Sequence, residues 1–232
     1  MDSKNFFILF PDLSGLSGVP IFLDARLWEH IDDKKDLMAP VEKDENWDGW
    51  YEYKQEKFPN KLFFIVKAPK ISFDYYPCRS GLIISQDFLD FIQKYTNEIS
   101  FVPLEVYSNK MKIISVKKYY FLKFNSYLID GFDYENSKYL PNISDKAEII
   151  EMNAHPWISK VEKLILNEKI VNRENMFCLH GWIFFNKIFI SRNVLEEALK
   201  NKFYGIRYVE VSRIVEFYKN RDNMKKGPIV VE

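Results

Sequence analysis

The sequence predicts an α+β fold, with one or more mixed, mostly antiparallel sheets and a few packed helices. Three observations carry that expectation. Apolar runs of strand type recur along the chain, segments with helical spacing lie between them, and the two kinds of element do not alternate strictly enough for an α/β sheet. Twenty Phe, fourteen Tyr and five Trp in 232 residues point the same way, because aromatic side chains favour strands and large buried contacts.

The first run, "NFFILFP" at residues 5–11, reads as an opening strand. It ends at Pro11-Asp12, too early for the apolar core of a signal peptide. A short phrase then occurs three times: "IFLDARLWEHI" at 21–31, "IISQDFLDFIQ" at 83–93 and "IFISRNVLEEAL" at 188–199. Aligned, the copies place Asp24, Ser85 and Ser191 in register, each after an apolar run and before helical spacing. All three are good N-cap residues, whose side-chain oxygen takes an unpaired N–H of the first turn and stabilises by about 1 kcal/mol over alanine. The pairs Leu23 with Trp28, Ile84 with Leu89, and Ile190 with Leu195 fit a hydrophobic staple. The phrase therefore reads as strand, cap, helix.

Two copies share an exit strand, "ISFVPLEV" at 99–106 and "GIRYVEV" at 205–211, with Gly205 placed where a turn requires positive φ. The first copy instead runs into charged sequence. Unequal separations between the copies exclude a solenoid. Further strands are expected at 61–69, 112–116, 118–124 and 176–185, and an amphipathic helix over 156–169, with Ile158, Val161, Leu164 and Ile165 on one face. The expected organisation is a single domain over 1–232, with an N-terminal subdomain at 1–70, a main part at 71–232, and the seam in the polar stretch from Lys67 to Pro77.

Thirty-three basic residues balance thirty-three acidic ones, so no global field attracts nucleic acid or anionic lipid. "GWIFFNKIFIS" is broken by Asn186-Lys187 well short of the roughly 20 apolar residues a bilayer helix needs, so no membrane association is expected. Two cysteines, Cys78 and Cys178, cannot form a disulfide framework and suit a reducing, cytoplasmic compartment. The histidines His30, His155 and His180 accompany no nucleophile signature, and "RSG" at 79–81 reads as a turn. Cys78, His155, Cys178 and His180 are zinc-type residues without zinc spacing. Phosphate-binding glycine patterns are missing too. The sequence thus predicts no catalytic residue, metal or cofactor.

Carboxylates concentrate in two places. In one, Asp44, Glu45, Asp48 and Glu52 interleave with Trp47, Trp50 and Tyr51. This reads either as a solvated loop pinned by its tryptophans or as an acidic, aromatic surface for a basic partner, since Trp and Tyr anchor interfaces and carboxylates steer cations. In the other, Asp130, Asp133 and Glu135 lie in "IDGFDYENS", which could hold an ion or form a turn with Asx hydrogen bonds.

Taken in order over residues 75–211, "SGLIIS" with its helix and "ISFVPLEV", then "YYFLKFNSYLIDGFDYENSKY", then "IFISRNVLEEAL" with "GIRYVEV", resemble the bacterial immunity proteins of polymorphic toxin systems, a family once catalogued as a domain of unknown function. The resemblance implies a cytoplasmic antitoxin. It would bind a cognate toxin delivered by a secretion system or a neighbouring cell, and block it stoichiometrically without chemistry of its own. Asp44, Glu45, Trp47, Asp48, Trp50, Tyr51 and Glu52 are the expected partner contacts. Two other readings stand beside it: a hydrolase reversing a toxin's modification through Asp130, Asp133 and Glu135, and a non-catalytic scaffold or carbohydrate-binding module using exposed Trp and Tyr.

Overall fold

A computed structural model of the protein describes residues 6–13, 19, 25–31, 38, 59–78, 81–141, 158–179, 186–219 and 230–231. The fold is α+β, as the sequence predicts. It divides into two compact units.

One unit comprises Pro11–Asn125 with Lys202–Ile206. Its strands are β2 (Ala25–Trp28), β3 (Leu62–Val66), β4 (Tyr75–Pro77), β5 (Leu82–Ser85), β6 (Ile99–Ser108) and β7 (Tyr119–Phe124), in a six-stranded sheet of order β2-β3-β6-β7-β5-β4. Helix α1 (Gln86–Gln93) follows β5 directly. Strand β7 is antiparallel to both β5 and β6, so the strands entering and leaving α1 run parallel with β7 between them. Alternation along β6 buries Val102, Leu104 and Val106 against Leu62, Phe64, Phe73, Ile83 and Phe121, while Phe101 and Pro103 face out. Pro103 fits because β3 pairs only Leu104–Ser108, leaving the proline where β7 is its one strand neighbour among the described residues.

The other unit comprises Met1–Phe10, Ser126–Asn201 and Arg207–Glu232. Strands β1 (Phe6–Pro11), β10 (Met176–Cys178), β11 (Ile188–Ser191), β12 (Ile206–Glu210) and β13 (Val230–Val231) form a sheet of order β10-β11-β1-β12-β13, and β8 (Lys138–Pro141) pairs with β9 (Ile158–Lys163). Its helices are α2 (Glu168–Val171), α3 (Arg192–Asn201) and α4 (Ile214–Lys219). Phe6, Ile8, Phe132, Phe177, Phe189, Val209 and Phe217 make its core. Here β11 leads into α3 and α3 toward β12, with β1 lying between the two strands.

The repeated phrase is therefore a split β-α-β in two of its three copies. Ser85 caps α1 with extended backbone, its Oγ accepting from the Phe88 N–H at 3.3 Å. The staple pairs Ile84 with Leu89 and Ile190 with Leu195 are buried. Helix α3 exits through Lys202 at φ 54°, and Gly205 turns into β12 at φ 79°.

Three sequence expectations are corrected. The helix after Asp24 is instead strand β2, paired antiparallel with β3 through Ala25↔Val66 to Trp28↔Phe63. Ala25, Leu27 and Trp28 are all buried there, and burial in a sheet overrides the modest helical preference of Ala, Arg and Leu. The helix over 156–169 is instead β9 followed by the short α2. Two register shifts against β8 place two β9 residues opposite one partner residue, turning the two-residue alternation into a spacing of three that imitates a helix. Finally, 112–116 makes only isolated bridges, Ile113 with Tyr107 and Ser115 with Ile71, because the segment turns from one neighbour to the other.

Candidate functional site

The expected partner contacts Asp44, Glu45, Trp47, Asp48, Trp50, Tyr51 and Glu52 lie outside the described residues, as do Asp24, Ser80, His155 and His180. Those that are described resolve into structural roles. Gly81 packs so closely on β7 that a Cβ there would stand 2.6 Å from the Leu122 carbonyl oxygen and 2.7 Å from the Phe121 ring, so it is a contact glycine. The Cys78 thiol donates to the Gly81 carbonyl at 3.3 Å. Cys178 is fully buried, and burial pushes its thiol well above its ordinary value, away from nucleophilic use. The His30 side chain is 89% exposed, with its Nε2 3.8 Å from Glu29.

Asp133 anchors a turn. Its carboxylate accepts from the Asn136 side chain at 2.8 Å and from the backbone N–H groups of Asn136 and Glu135 at 3.0 and 3.2 Å. The Asn136 side-chain bond, then its backbone bond, holds the Asp133 carboxyl below its usual range. The turn is fastened to 165–167: Asp133 N–H donates to the Ile165 carbonyl at 2.9 Å, Ile165 N–H to Ser137 Oγ at 3.0 Å, and Asn167 N–H to the Gly131 carbonyl at 2.9 Å. Phe132 lies buried beneath it, edge-on to Tyr134 and Tyr139. Of the two sequence readings for "IDGFDYENS", the Asx turn is the one formed. Among the described residues no three His, Cys, Asp or Glu side chains come together as a metal site.

Sequence reasoning missed a buried ionic knot at Asp74, which is only 2% exposed. Asp74 Oδ1 accepts from Ser85 Oγ and from Lys117 Nζ, both at 2.5 Å, and Oδ2 accepts from the Tyr204 N–H at 2.6 Å. The backbone ties match: Asp74 N–H donates to the Tyr204 carbonyl at 2.7 Å, and Ser85 N–H to the Asp74 carbonyl at 3.2 Å. Aspartate, serine and lysine together resemble a catalytic set. However, Ser85 is wholly buried and its oxygen already serves the N–H of Phe88, so this serine is a cap held in place by a carboxylate. The available signal was a lone carboxylate inside the aromatic run "SFDYY", since a charge at such a position needs partners.

Contiguous apolar exposure marks surface for binding. Among the described residues of the first unit the most exposed large apolar side chains are Ile113 at 74% and Val116 at 61%, beside the turn after β6. Half-buried Phe63 and Tyr107, ring centroids 6.4 Å apart, lie on the face of β3 and β6 that also carries Ile65, where they pack against a small second core of buried Trp28 and Ile65. Lys61 sits 4.8 Å over the Phe63 ring and pairs with Glu105 at 3.0 Å, and Glu105 also accepts from the Tyr107 hydroxyl at 2.9 Å. The Lys61 bond, then the Tyr107 bond, lowers the Glu105 carboxyl from its ordinary value.

Comparison with known families supplies the class. A family model described as Immunity protein 43 matches residues 14–225. The chain belongs to the Immunity protein 43 family, which bears out the resemblance carried by its motifs and points to a role in neutralising a toxin. No curated protein matches the chain. No helix among the described residues is long and apolar enough to cross a membrane.

Proposed function

We propose that this chain is a stoichiometric inhibitor that binds a cognate toxin domain in the cytoplasm of a bacterial cell and occludes its active site or substrate path, acting as one domain over 1–232 without catalysis, cofactor, nucleic acid or membrane. Membership of an immunity-protein family over 14–225 is the observation that carries this reading. The engaged state of the Asp74 and Asp133 carboxylates and of Ser85 supports it, because their hydrogen-bonding capacity is spent on the fold. Asp44, Glu45, Trp47, Asp48, Trp50, Tyr51 and Glu52 are proposed as one contact, with carboxylates suited to a basic toxin surface and indoles suited to the buried centre of an interface. Tight occlusion calls for roughly 1,200–2,000 Å² of total buried surface.

The test is co-expression with the toxic domain encoded beside the gene. Growth should be restored, and the two chains should co-purify at one to one. Restored growth without any complex, or with the toxin's damage chemically reversed, would replace occlusion by a repair activity.

A further inference from the structure

The turn after β6 combines features that folding alone does not call for. Strand β6 ends at Ser108, and the chain reverses through Asn109, Lys110 and Met111 before running back along β6. Ser108 N–H donates to the Lys112 carbonyl at 2.8 Å, Met111 N–H to the Ser108 carbonyl at 2.9 Å, and Ile114 N–H to the Val106 carbonyl at 3.4 Å. Ser108 Oγ accepts from the N–H groups of Lys110 and Lys112 at 3.3 and 3.2 Å, so the tip is internally fastened. Met111 has φ 56°, a left-handed conformation that costs a side-chain-bearing residue roughly 1–2 kcal/mol and that glycine adopts freely. A strained position occupied by an exposed thioether points to use of that side chain.

The tip's surroundings share one character. Met111, Ile113 and Val116 are 38%, 74% and 61% exposed. Ile113 stands opposite Tyr107 in an antiparallel bridge, which puts the two side chains on one face and backs the exposed Ile113 with Tyr107 and Phe63, themselves packed on buried Trp28 and Ile65. Lys110 and Lys112 flank Met111, Lys118 lies two residues past Val116, and Lys70 adjoins Ile71, which bridges to Ser115; all four lysines are exposed. No Asp or Glu occurs from Val106 to Lys123 or from Pro59 to Phe73. In a chain of zero formal net charge this is a local concentration of positive charge around an apolar centre, the arrangement of an interface core with a charged rim.

We propose that this hairpin tip, with Tyr107 and Phe63 behind it, docks on an acidic surface of the toxin domain, Ile113 and Met111 entering an apolar pocket and Lys110 and Lys112 meeting carboxylates at its edge. The proposal rests on the toxin-binding reading above and adds a contact separate from residues 44–52. Charge complementarity selects an acidic partner. A protein pocket suits the site better than a lipid headgroup or a phosphate backbone, because the exposed centre at Met111 and Ile113 is apolar and confined to one short tip, with the lysines at its edge. The fixed tip also gives a shaped pocket its affinity without a large ordering cost.

The experiment measures binding of the neighbouring gene's toxin domain, catalytically silenced, to the full chain and to Ile113→Glu, Met111→Gly and the double variant Lys110→Glu with Lys112→Glu. Phosphatidylglycerol-containing vesicles and a DNA duplex serve as parallel probes. The expected result is at least a tenfold loss of affinity for Ile113→Glu, as for a hot-spot side chain. The lysine pair should slow association several-fold at low salt and flatten its salt dependence. Cooperative unfolding with midpoints no lower than the parent's will show that the variants fold. Full-strength toxin binding by Ile113→Glu and the lysine pair overturns the proposal and leaves the toxin-binding reading intact, whereas failure of the unaltered chain to bind overturns both. Binding to vesicles or DNA that these variants abolish, with toxin binding untouched, reassigns the surface and equally overturns it.

Discussion

Half-buried Lys187 and buried Asp74 are both ionisable groups set beside aromatic rings, and their surroundings treat them differently. Asp74 has three donors, whereas the Lys187 ammonium lies 4.9 Å over the Phe10 ring, which packs on Phe217 and Tyr218. Burial pulls the Lys187 amine down to about 8 from an ordinary 10.5. Between those values the unfolded chain binds the proton more tightly than the native one, so this lysine's destabilising effect is full below pH 8 and fades as pH rises toward 10.5. Lys187→Met should therefore be more stable than the parent at pH 7, with the gap closing between pH 8 and 10.5, as urea midpoints at each pH will measure. Tyr134 acts in the opposite sense, because burial lifts its hydroxyl to about 12 and that contribution is lost as pH rises above 10. Comparing parent with variant cancels it. At the knot, Asp74→Ala should cost about 3 kcal/mol by leaving Lys117 without its carboxylate, and Ser85→Ala about 2–3 kcal/mol by losing both the cap and a donor to Asp74; denaturant unfolding reads both. Asp130→Ala with Glu135→Ala should leave protection from toxin intact, and loss of protection in a folded double variant would favour a hydrolase.

Whether an element was legible in the sequence depended on how local its causes are. The α1 cap was legible because Ser85 and Phe88 lie within one turn of each other. The second split β-α-β unit repeats the order of strand, Ser191 and helix and the buried pair Ile190 with Leu195, while the Ser191 hydroxyl donates to Asn175 Oδ1 at 3.4 Å. Strands β2 and β9 were not legible, since pairing with β3 decides the first and bulges against β8 give the second its misleading spacing. The Asp74 site escaped for the same reason, its donors on Lys117 and Tyr204 standing 43 and 130 residues away. Gly81→Ala belongs to this scale, because a Cβ would meet the β7 backbone and force β5 away, at a cost of about 1–3 kcal/mol. At the hairpin, Met111→Gly should raise stability by about 1 kcal/mol through relief of the left-handed backbone, while weakening toxin binding. Paired measurements of midpoint and affinity will show whether the two properties move in opposite directions.

Across the whole molecule, balanced formal charge coexists with local fields of opposite sign, acidic at 44–52 and basic around 110–118. Saturating toxin should raise the melting temperature with concentration, as expected for a ligand that binds only the native state, and thermal scans at graded toxin will test this. The unit containing α1 is also discontinuous in the gene. Its core strands are complete by Asn125, yet Phe203, whose ring lies 4.9 Å from Phe88 and 5.0 Å from Phe91, and the N–H that Tyr204 gives Asp74 are encoded some eighty codons later, at Lys202–Ile206. An exchange of DNA between related genes that replaced only the first half would pair one lineage's α1 and Asp74 with another lineage's Phe203 and Tyr204. New binding specificity should therefore spread through these genes by surface substitutions, or by transfer of the entire reading frame, more readily than by crossing over in its middle.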